Sequence, residues 1–280
     1  MSFTRPLFVV AGIGNGSGTG AASARAFAKV GYRVALISRG PEHLNKLATE
    51  INETGGEAKS FPVEDYTPAS IKSAFKALKS EWPTSPVRVA VFNVGYGVWK
   101  PFLEISEGEV RESLDTNVIA AFAFARESLL EITNQELESP NEGGLAGNAR
   151  KRGTLIFTGA TAAIRGNTTT SAFAAGKFGI RALSQSLAKE FGKQNIHVAH
   201  SIIDGVIVTD RNRSRRNDPD WEANHDVRLS PEGIADSYFY LVKQDSSAWT
   251  WEIDRKPTHS VAFVEQVPTS STVRPAHEKW

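Results

Sequence analysis

Within its first 30 residues the chain passes from an apolar run, PLFVVAGI (6–13), through a glycine-rich turn, GNGSGTG (14–20), into a helical pattern, AASARAFA. This junction constrains the fold more than any other feature. A strand that turns on glycines directly into a helix must bring the next strand back parallel to the first, with the helix packed across one face. The pattern continues as YRVALIS (32–38), a helix over 41–54, EAKSFPV (57–63) and a helix over 68–80. The second half keeps the rhythm: VRVAVFNVG (87–95) and GTLIFTGA (153–160) flank a long helical pattern near 108–133, and IHVAHSIID (196–204) follows a helix over 170–191. Continuous apolar strands alternating with amphipathic helices predict an α/β fold, a doubly wound parallel sheet in three αβα layers.

With 280 residues, 40% of them hydrophobic, the chain has enough apolar material for one large core, so a single domain is expected over residues 1–254. The remainder, 255–280, carries Pro257, Pro268 and Pro275 and reads as a surface tail. Residues 134–152 are polar and glycine-rich and read as an exposed loop, and RNRSRRNDPDW (211–221) reads as a solvated loop or a lid near a ligand. A net charge of +1 gives no electrostatic basis for binding nucleic acid or an anionic membrane. Cysteine is absent, which excludes disulfides and thiolate metal sites, and no metal is expected. No apolar run approaches the ~18 residues of a membrane span. These features predict a cytoplasmic protein with a small-molecule partner.

The spacing Gly14-x-x-x-Gly18-x-Gly20 lets the backbone turn tightly and leaves helix N–H groups free to face a pyrophosphate. Gly14, Ser17, Gly18, Thr19 and Gly20 are therefore candidate cofactor-binding residues. At the end of the second strand stand Ser38 and Arg39, where a carboxylate would take the ribose 2′-hydroxyl of NAD(H). An arginine there suits a 2′-phosphate and favours NADP(H) over NAD(H).

With these motifs the chain resembles the short-chain dehydrogenase/reductase family, with its Rossmann-type fold, over residues 7–255. FNVG at 92–95 is similar to the family's Asn-Asn-Ala-Gly motif, which implies that Asn93 and Gly95 line the adenosine side. The resemblance puts either Glu64 or Asp65 over the adenine and Asn117 at a catalytic position on the long helix. IDGVIVT resembles the turn along the nicotinamide, with Asp204 replacing a proline and Gly205, Ile207 and Thr209 in place. FAAGK matches the Tyr-x-x-x-Lys pair with Phe173 for the tyrosine and Lys177 for the lysine, which in the family also holds the nicotinamide ribose. Thirteen residues earlier, the position of the family's serine is Ala160.

Two groups that move or stabilise the proton are thus missing at those positions. Loss of a general acid typically lowers the rate by about 10² to 10⁴. Asp204 reads either as a turn residue or as a substitute acid with a pKa raised by burial. Thr158, Thr161, Arg165, Thr170 and Ser171 are further pocket candidates, and His197 and His200 read as structural histidines. Three functions follow: an NADP(H)-dependent oxidoreductase acting on a small carbonyl, imine or activated alkene; a non-redox cyclase or isomerase; or a cofactor-binding scaffold or sensor. The long helices resemble those through which the family forms homodimers and homotetramers.

Overall fold

The computed structural model describes residues 5–138 and 150–259. Seven parallel strands form one sheet in the order β3-β2-β1-β4-β5-β6-β7: β1 Leu7–Ala11, β2 Arg33–Ser38, β3 Glu57–Pro62, β4 Val87–Phe92, β5 Gly153–Thr158, β6 Ile196–Ile203 and β7 Glu252–Arg255. Three helices, α1 (Thr19–Lys29), α2 (Pro41–Glu53) and α3 (Pro68–Glu81), connect the first four strands. Helices α4 (Glu107–Leu114) and α5 (Ala120–Thr133) lie between β4 and β5, and α6 (Ser171–Gly192) leads into β6. Short α7 (Asp210–Arg216) and α8 (Pro219–Ala223) precede α9 (Pro231–Lys243), which returns the chain to β7.

Because helices cover both faces, β1, β4, β5 and β6 are buried at every position rather than at alternate ones. Leu7, Val9 and Ala11 of β1 enter a core with Phe75 of α3, Phe124 of α5 and Ile180 of α6. Phe8 and Val10, pointing the other way, join Phe27 of α1, Leu44 of α2 and Tyr238 of α9. Phe8 stacks on Phe27 with ring centroids 4.2 Å apart. Each such fully buried side chain contributes about 1.5–3 kcal/mol. The two-sided core makes the sheet a rigid platform.

The chain winds from β1 outward to β3, then crosses back to β4 on the other side of β1. That reversal opens a crevice beyond the carboxyl ends of β1 and β4, the place where sheets of this kind bind ligands.

Several sequence expectations need correction. The 108–133 segment is not one helix: a π-helical turn over Asp115–Ile119 separates α4 from α5. A periodicity argument over a long window does not register one extra residue. The 211–221 stretch forms α7 and α8, capped by Thr209 and Asp218, rather than a loop. The sheet continues to Arg255 in β7, and Pro257 packs against Gly205. Residues 139–149 of the expected loop, and Pro268 and Pro275 of the expected tail, lie outside the described residues. Among the described residues no helix is long and apolar enough to cross a membrane, and no group of three or more His, Asp or Glu could hold a metal ion.

Candidate active site at the switch point

The glycine turn sits at the crevice and is built by close packing. Gly12 has φ +91°, and a Cβ there would lie 2.8 Å from the Val94 nitrogen. A Cβ on Gly20 would overlap the Gly12 carbonyl oxygen and stand 2.9 Å from Asn93 Nδ2. Asn93 Nδ2 itself donates to that oxygen at 2.7 Å, which ties the turn to the end of β4. Gly14 and Gly16 have φ +60° and +96°, and nothing lies within 4 Å of the position a Cβ would take, so this part of the turn is open. Gly18 differs: its nearest neighbour would be the Thr209 methyl at 3.6 Å, an ordinary contact.

Helices α3, α4, α7, α8 and α9 each begin on a Thr, Ser or Asp side chain that accepts a helix N–H, whereas α1, like α2 and α6, begins with no side-chain acceptor, here on Gly18. The hydroxyl of Thr19, in the first turn of α1, is buried and without a hydrogen-bond partner. Unsatisfied N–H groups and a positive helix end make this terminus an anion site. Across the turn, Asn15 Nδ2 donates to Asp210 at 3.1 Å, and the Ser17 hydroxyl accepts the Asp210 backbone N–H at 3.0 Å. The segment carrying Gly205, Ile207 and Thr209 is thereby held over the glycine turn, with Ile207 bridged to Leu229.

On the far side of the crevice, Ser38 is buried and its hydroxyl lies 3.2 Å from the Tyr66 hydroxyl. The exposed Arg39 guanidinium lies over the Tyr66 ring, 5.3 Å from its centroid. No carboxylate among the described residues pairs with Arg39. Glu64 and Asp65 follow β3 on this side. Asp65 accepts from the Thr67 N–H at 3.0 Å and from the Thr67 and Ser70 hydroxyls, the last two at 2.7 and 2.6 Å. These bonds all go to Asp65 Oδ1, start α3 and hold the Asp65 carboxyl below the usual range, while Glu64 and Asp65 are both exposed.

At the heads of β4 and β5 the candidates for chemistry converge. The Asn117 side chain, in the π-helical turn, donates to the carbonyls of Tyr96 at 2.8 Å and Ser113 at 2.9 Å, and accepts from the Tyr96 N–H at 3.3 Å. A π-turn of this kind turns a side chain inward that a regular helix would carry past the site. Helix α6 approaches closely there: a Cβ on Gly176 would lie 2.9 Å from Asn117 Cβ. Lys177, 5% exposed, donates to the Thr158 carbonyl at 3.2 Å. Its ammonium lies over the Phe173 ring, 5.9 Å from the centroid, and no carboxylate among the described residues pairs with it. Burial pulls its pKa down to about 8. The position a Gly95 side chain would fill is bordered by Lys177 Nζ at 3.3 Å and Asn117 Oδ1 at 3.6 Å. Half-buried Phe173 meets the exposed Trp99 ring with centroids 5.2 Å apart, and Ala160 follows the end of β5 with only a methyl.

Asp204 is not a substitute acid. Its carboxylate, 3% exposed, accepts from Thr161 at 2.6 Å and from both Arg165 Nη atoms at 2.9 and 3.1 Å, and pairs with Lys256 at 3.2 Å. Burial works to raise its pKa, but the hydrogen bonds from Thr161, Arg165 and Lys256 outweigh it, so the group stays ionised. Thr161 and Arg165 are thereby committed as well. The Thr158 hydroxyl bonds Tyr238 at 2.7 Å in the core, the Thr170 hydroxyl closes a turn with Asn167, and Ser171 is exposed. His197 lies between the Leu241 and Thr250 carbonyls and stacks on Trp249, and buried His200 bonds Glu252 at 3.0 Å. His197 is satisfied on both ring nitrogens, whereas His200 Nε2 is buried without a hydrogen-bond partner, and the Lys177 charge adds to burial in lowering the His200 pKa.

Gly12, Tyr66, Trp99 and Asp210 were not singled out by spacing. Gly12 had a usable signal, as the first glycine of the AGIG run at a strand end. The other three reach the site through tertiary contacts that no local pattern encodes.

A glycine turn feeding an uncapped helix at the reversal of a parallel sheet defines a dinucleotide-binding α/β protein. The model of the family described as "short chain dehydrogenase" matches residues 9–220, and the chain belongs to that family of oxidoreductases. Mouse 3-oxoacyl-[acyl-carrier-protein] reductase is 25% identical over 205 residues, covering 73% of this chain and 78% of that one. A probable galactose dehydrogenase of Rhizobium meliloti is 28% identical over 200 residues, covering 71% and 72%. Among solved structures, a short-chain dehydrogenase from Rhodopseudomonas palustris is 30% identical with a TM-score of 0.70, covering 90% of this chain and 98% of that one. A metagenomic short-chain oxidoreductase in complex with NADP shares the fold at 23% identity and a TM-score of 0.70, covering 92% and 100%.

Proposed function

We propose that the protein is an NADP(H)-dependent oxidoreductase that transfers hydride to a small organic carbonyl, imine or activated alkene, in a site where Phe173 and Ala160 stand at the tyrosine and serine positions. The observation that carries the reading is the uncapped α1 terminus with the orphaned Thr19 hydroxyl, beside glycines that leave the crevice open. These residues fit a dinucleotide pyrophosphate. Bound there, the cofactor supplies hydride to an electrophilic carbon.

The chain's own residues do the rest. Thr19 and the first N–H groups of α1 hold the phosphates, and Gly205, Ile207 and Thr209 close the crevice from above. Arg39, braced on Tyr66 and free of any carboxylate among the described residues, takes the 2′-phosphate. Solved structures of the same fold in complex with NADP and with NADPH support that choice. Lys177 reaches the nicotinamide ribose, and Asn117 fixes the backbone at Tyr96. Exposed Ile119, Phe122 and Phe178 on the π-turn, α5 and α6 support self-association into a homodimer or homotetramer.

Binding titrations test the cofactor assignment. NADPH binds more tightly than NADH, and Arg39→Ala removes the difference; equal affinities in the unmodified protein refute it. Phe173, which has no hydroxyl, favours a second reading as a non-redox cyclase or isomerase, or as a cofactor-dependent sensor. That reading holds if NADPH binds and no carbonyl, imine or enone in a broad panel consumes it.

A further inference from the structure

A carbonyl that accepts hydride becomes an alkoxide, which needs a proton donor within hydrogen-bond reach. The described residues at the heads of β4, β5 and α6 offer few. Phe173 and Ala160 have no proton to give, the Thr161 hydroxyl donates to Asp204, Asp204 is ionised, and the Tyr96 phenol is hydrogen-bonded to Glu112, with its pKa raised by burial and by the Glu112 and Glu109 carboxylates. The Asn117 amide is committed to Tyr96 and Ser113.

Lys177 is different. Its ammonium carries three N–H bonds, and among the described residues only the Thr158 carbonyl accepts one of them. No carboxylate among the described residues neutralises it, and it lies over the Phe173 ring, 5.9 Å from the centroid, with the buried His200 imidazole also close enough to feel its charge. Its Nζ borders the position that a Gly95 side chain would fill, at 3.3 Å, and Gly95 is itself exposed.

Resting on the reductase reading above, we propose that Lys177 is the catalytic acid of this site, taking the part that Phe173 cannot play. As hydride from the reduced nicotinamide forms the new C–H bond, the C=O π pair moves to oxygen. One Lys177 N–H bond breaks as the O–H bond forms, and the neutral amine regains its proton from water after the product leaves. A second N–H remains for the ribose. The surroundings favour this step, because burial without a counter-ion disfavours the charged form and makes the ammonium give up its proton more readily. With a pKa of about 8, Lys177 is about nine-tenths protonated at pH 7 and a far stronger acid than an ordinary ammonium.

The first test needs no turnover. In cofactor-free protein with ¹³C-labelled lysine, the Lys177 side-chain signal, identified by its absence in Lys177→Arg, titrates near pH 8. A midpoint above about 10, the ordinary lysine value, overturns the proposal. The second test compares NADPH-dependent reduction of a ketone with that of an N-methylated cyclic iminium, which takes hydride without a proton, from about pH 6 to 10. Ketone reduction falls about tenfold per pH unit above the Lys177 pKa, and iminium reduction does not. Lys177→Arg, whose guanidinium keeps its proton, loses about 100-fold or more of ketone reduction and much less of iminium reduction. Lys177→Met repeats the comparison if the arginine does not fit. Matching pH profiles for the two acceptors, or an arginine variant that keeps ketone turnover, refutes the acid role while leaving the reductase standing. If neither acceptor consumes NADPH, the reductase reading falls and the acid with it.

Discussion

Gly18 and Gly20 stand two residues apart in the same turn, and the structure predicts opposite outcomes when each becomes alanine. A methyl on Gly20 overlaps the Gly12 carbonyl oxygen and stands 2.9 Å from Asn93 Nδ2, the group that donates to that oxygen at 2.7 Å. Backbone and a buried amide cannot both yield, so Gly20→Ala breaks the Asn93 bond and shifts the turn. Leaving those groups unsatisfied costs about 1–3 kcal/mol. NADPH must recover whatever part of this is needed to restore the turn, a loss of affinity of up to about 150-fold. Gly18→Ala meets only the Thr209 methyl at 3.6 Å, and Gly18 has an extended conformation that alanine adopts. Its stability cost is the small penalty of alanine at a helix N-cap, at most about 1 kcal/mol. Any larger loss of NADPH affinity in this variant then comes from the ligand side, because the added carbon faces the crevice. Urea denaturation reads the stabilities and NADPH fluorescence titration the affinities. A Gly20→Ala protein as stable as the parent, with undiminished NADPH affinity, would show that the packing argument is wrong.

Asp204→Asn should cost about 1–2 kcal/mol, less than a fully buried ion pair because Arg165 and Lys256 can return to water. The Asp204 pKa is lowered on folding, so its stabilisation is present above the unfolded value near 3.9 and is lost as pH falls through the folded one. The variant therefore shows a shallower loss of stability on acidification, measured by urea titrations between about pH 3 and 6; an unchanged slope contradicts the assignment. Phe173→Tyr combined with Ala160→Ser restores a phenol and a hydroxyl at the two altered positions, and carbonyl reduction should rise by about 10² or more. No gain in rate with any ketone means that the pocket is shaped for other chemistry.

The sheet was legible because its strands are buried on both faces, and continuous runs such as LFVVA and GTLIFT have no other comfortable environment. The glycine turn was legible for a similar local reason. What escaped were features set by contact across the fold. The acid role considered for Asp204 failed on Arg165 and Lys256, which lie 39 residues before and 52 residues after it and keep it charged. Counting could not tell Asp65 from Glu64, and it did not show that Asp65 Oδ1 would start α3, because that depends on how Thr67 and Ser70 fold back onto it. Tyr66 became part of the crevice only when β2 and β3 aligned Ser38 with Pro62.

The π-turn at Asp115–Ile119 bears on how this chain can change over time. One residue more than a regular helix needs rotates everything after it by roughly 100°. Accordingly α4 buries little beyond Ser113, whereas α5 turns Ala121, Phe124, Ser128 and Ile132 inward. A descendant that deleted this residue would gain a smoother helix and aim Asn117 away from Tyr96. The same deletion would rotate Phe124 and Ile132 of α5 out of the core, so the extra residue ties the aim of Asn117 to the packing of the helix that follows.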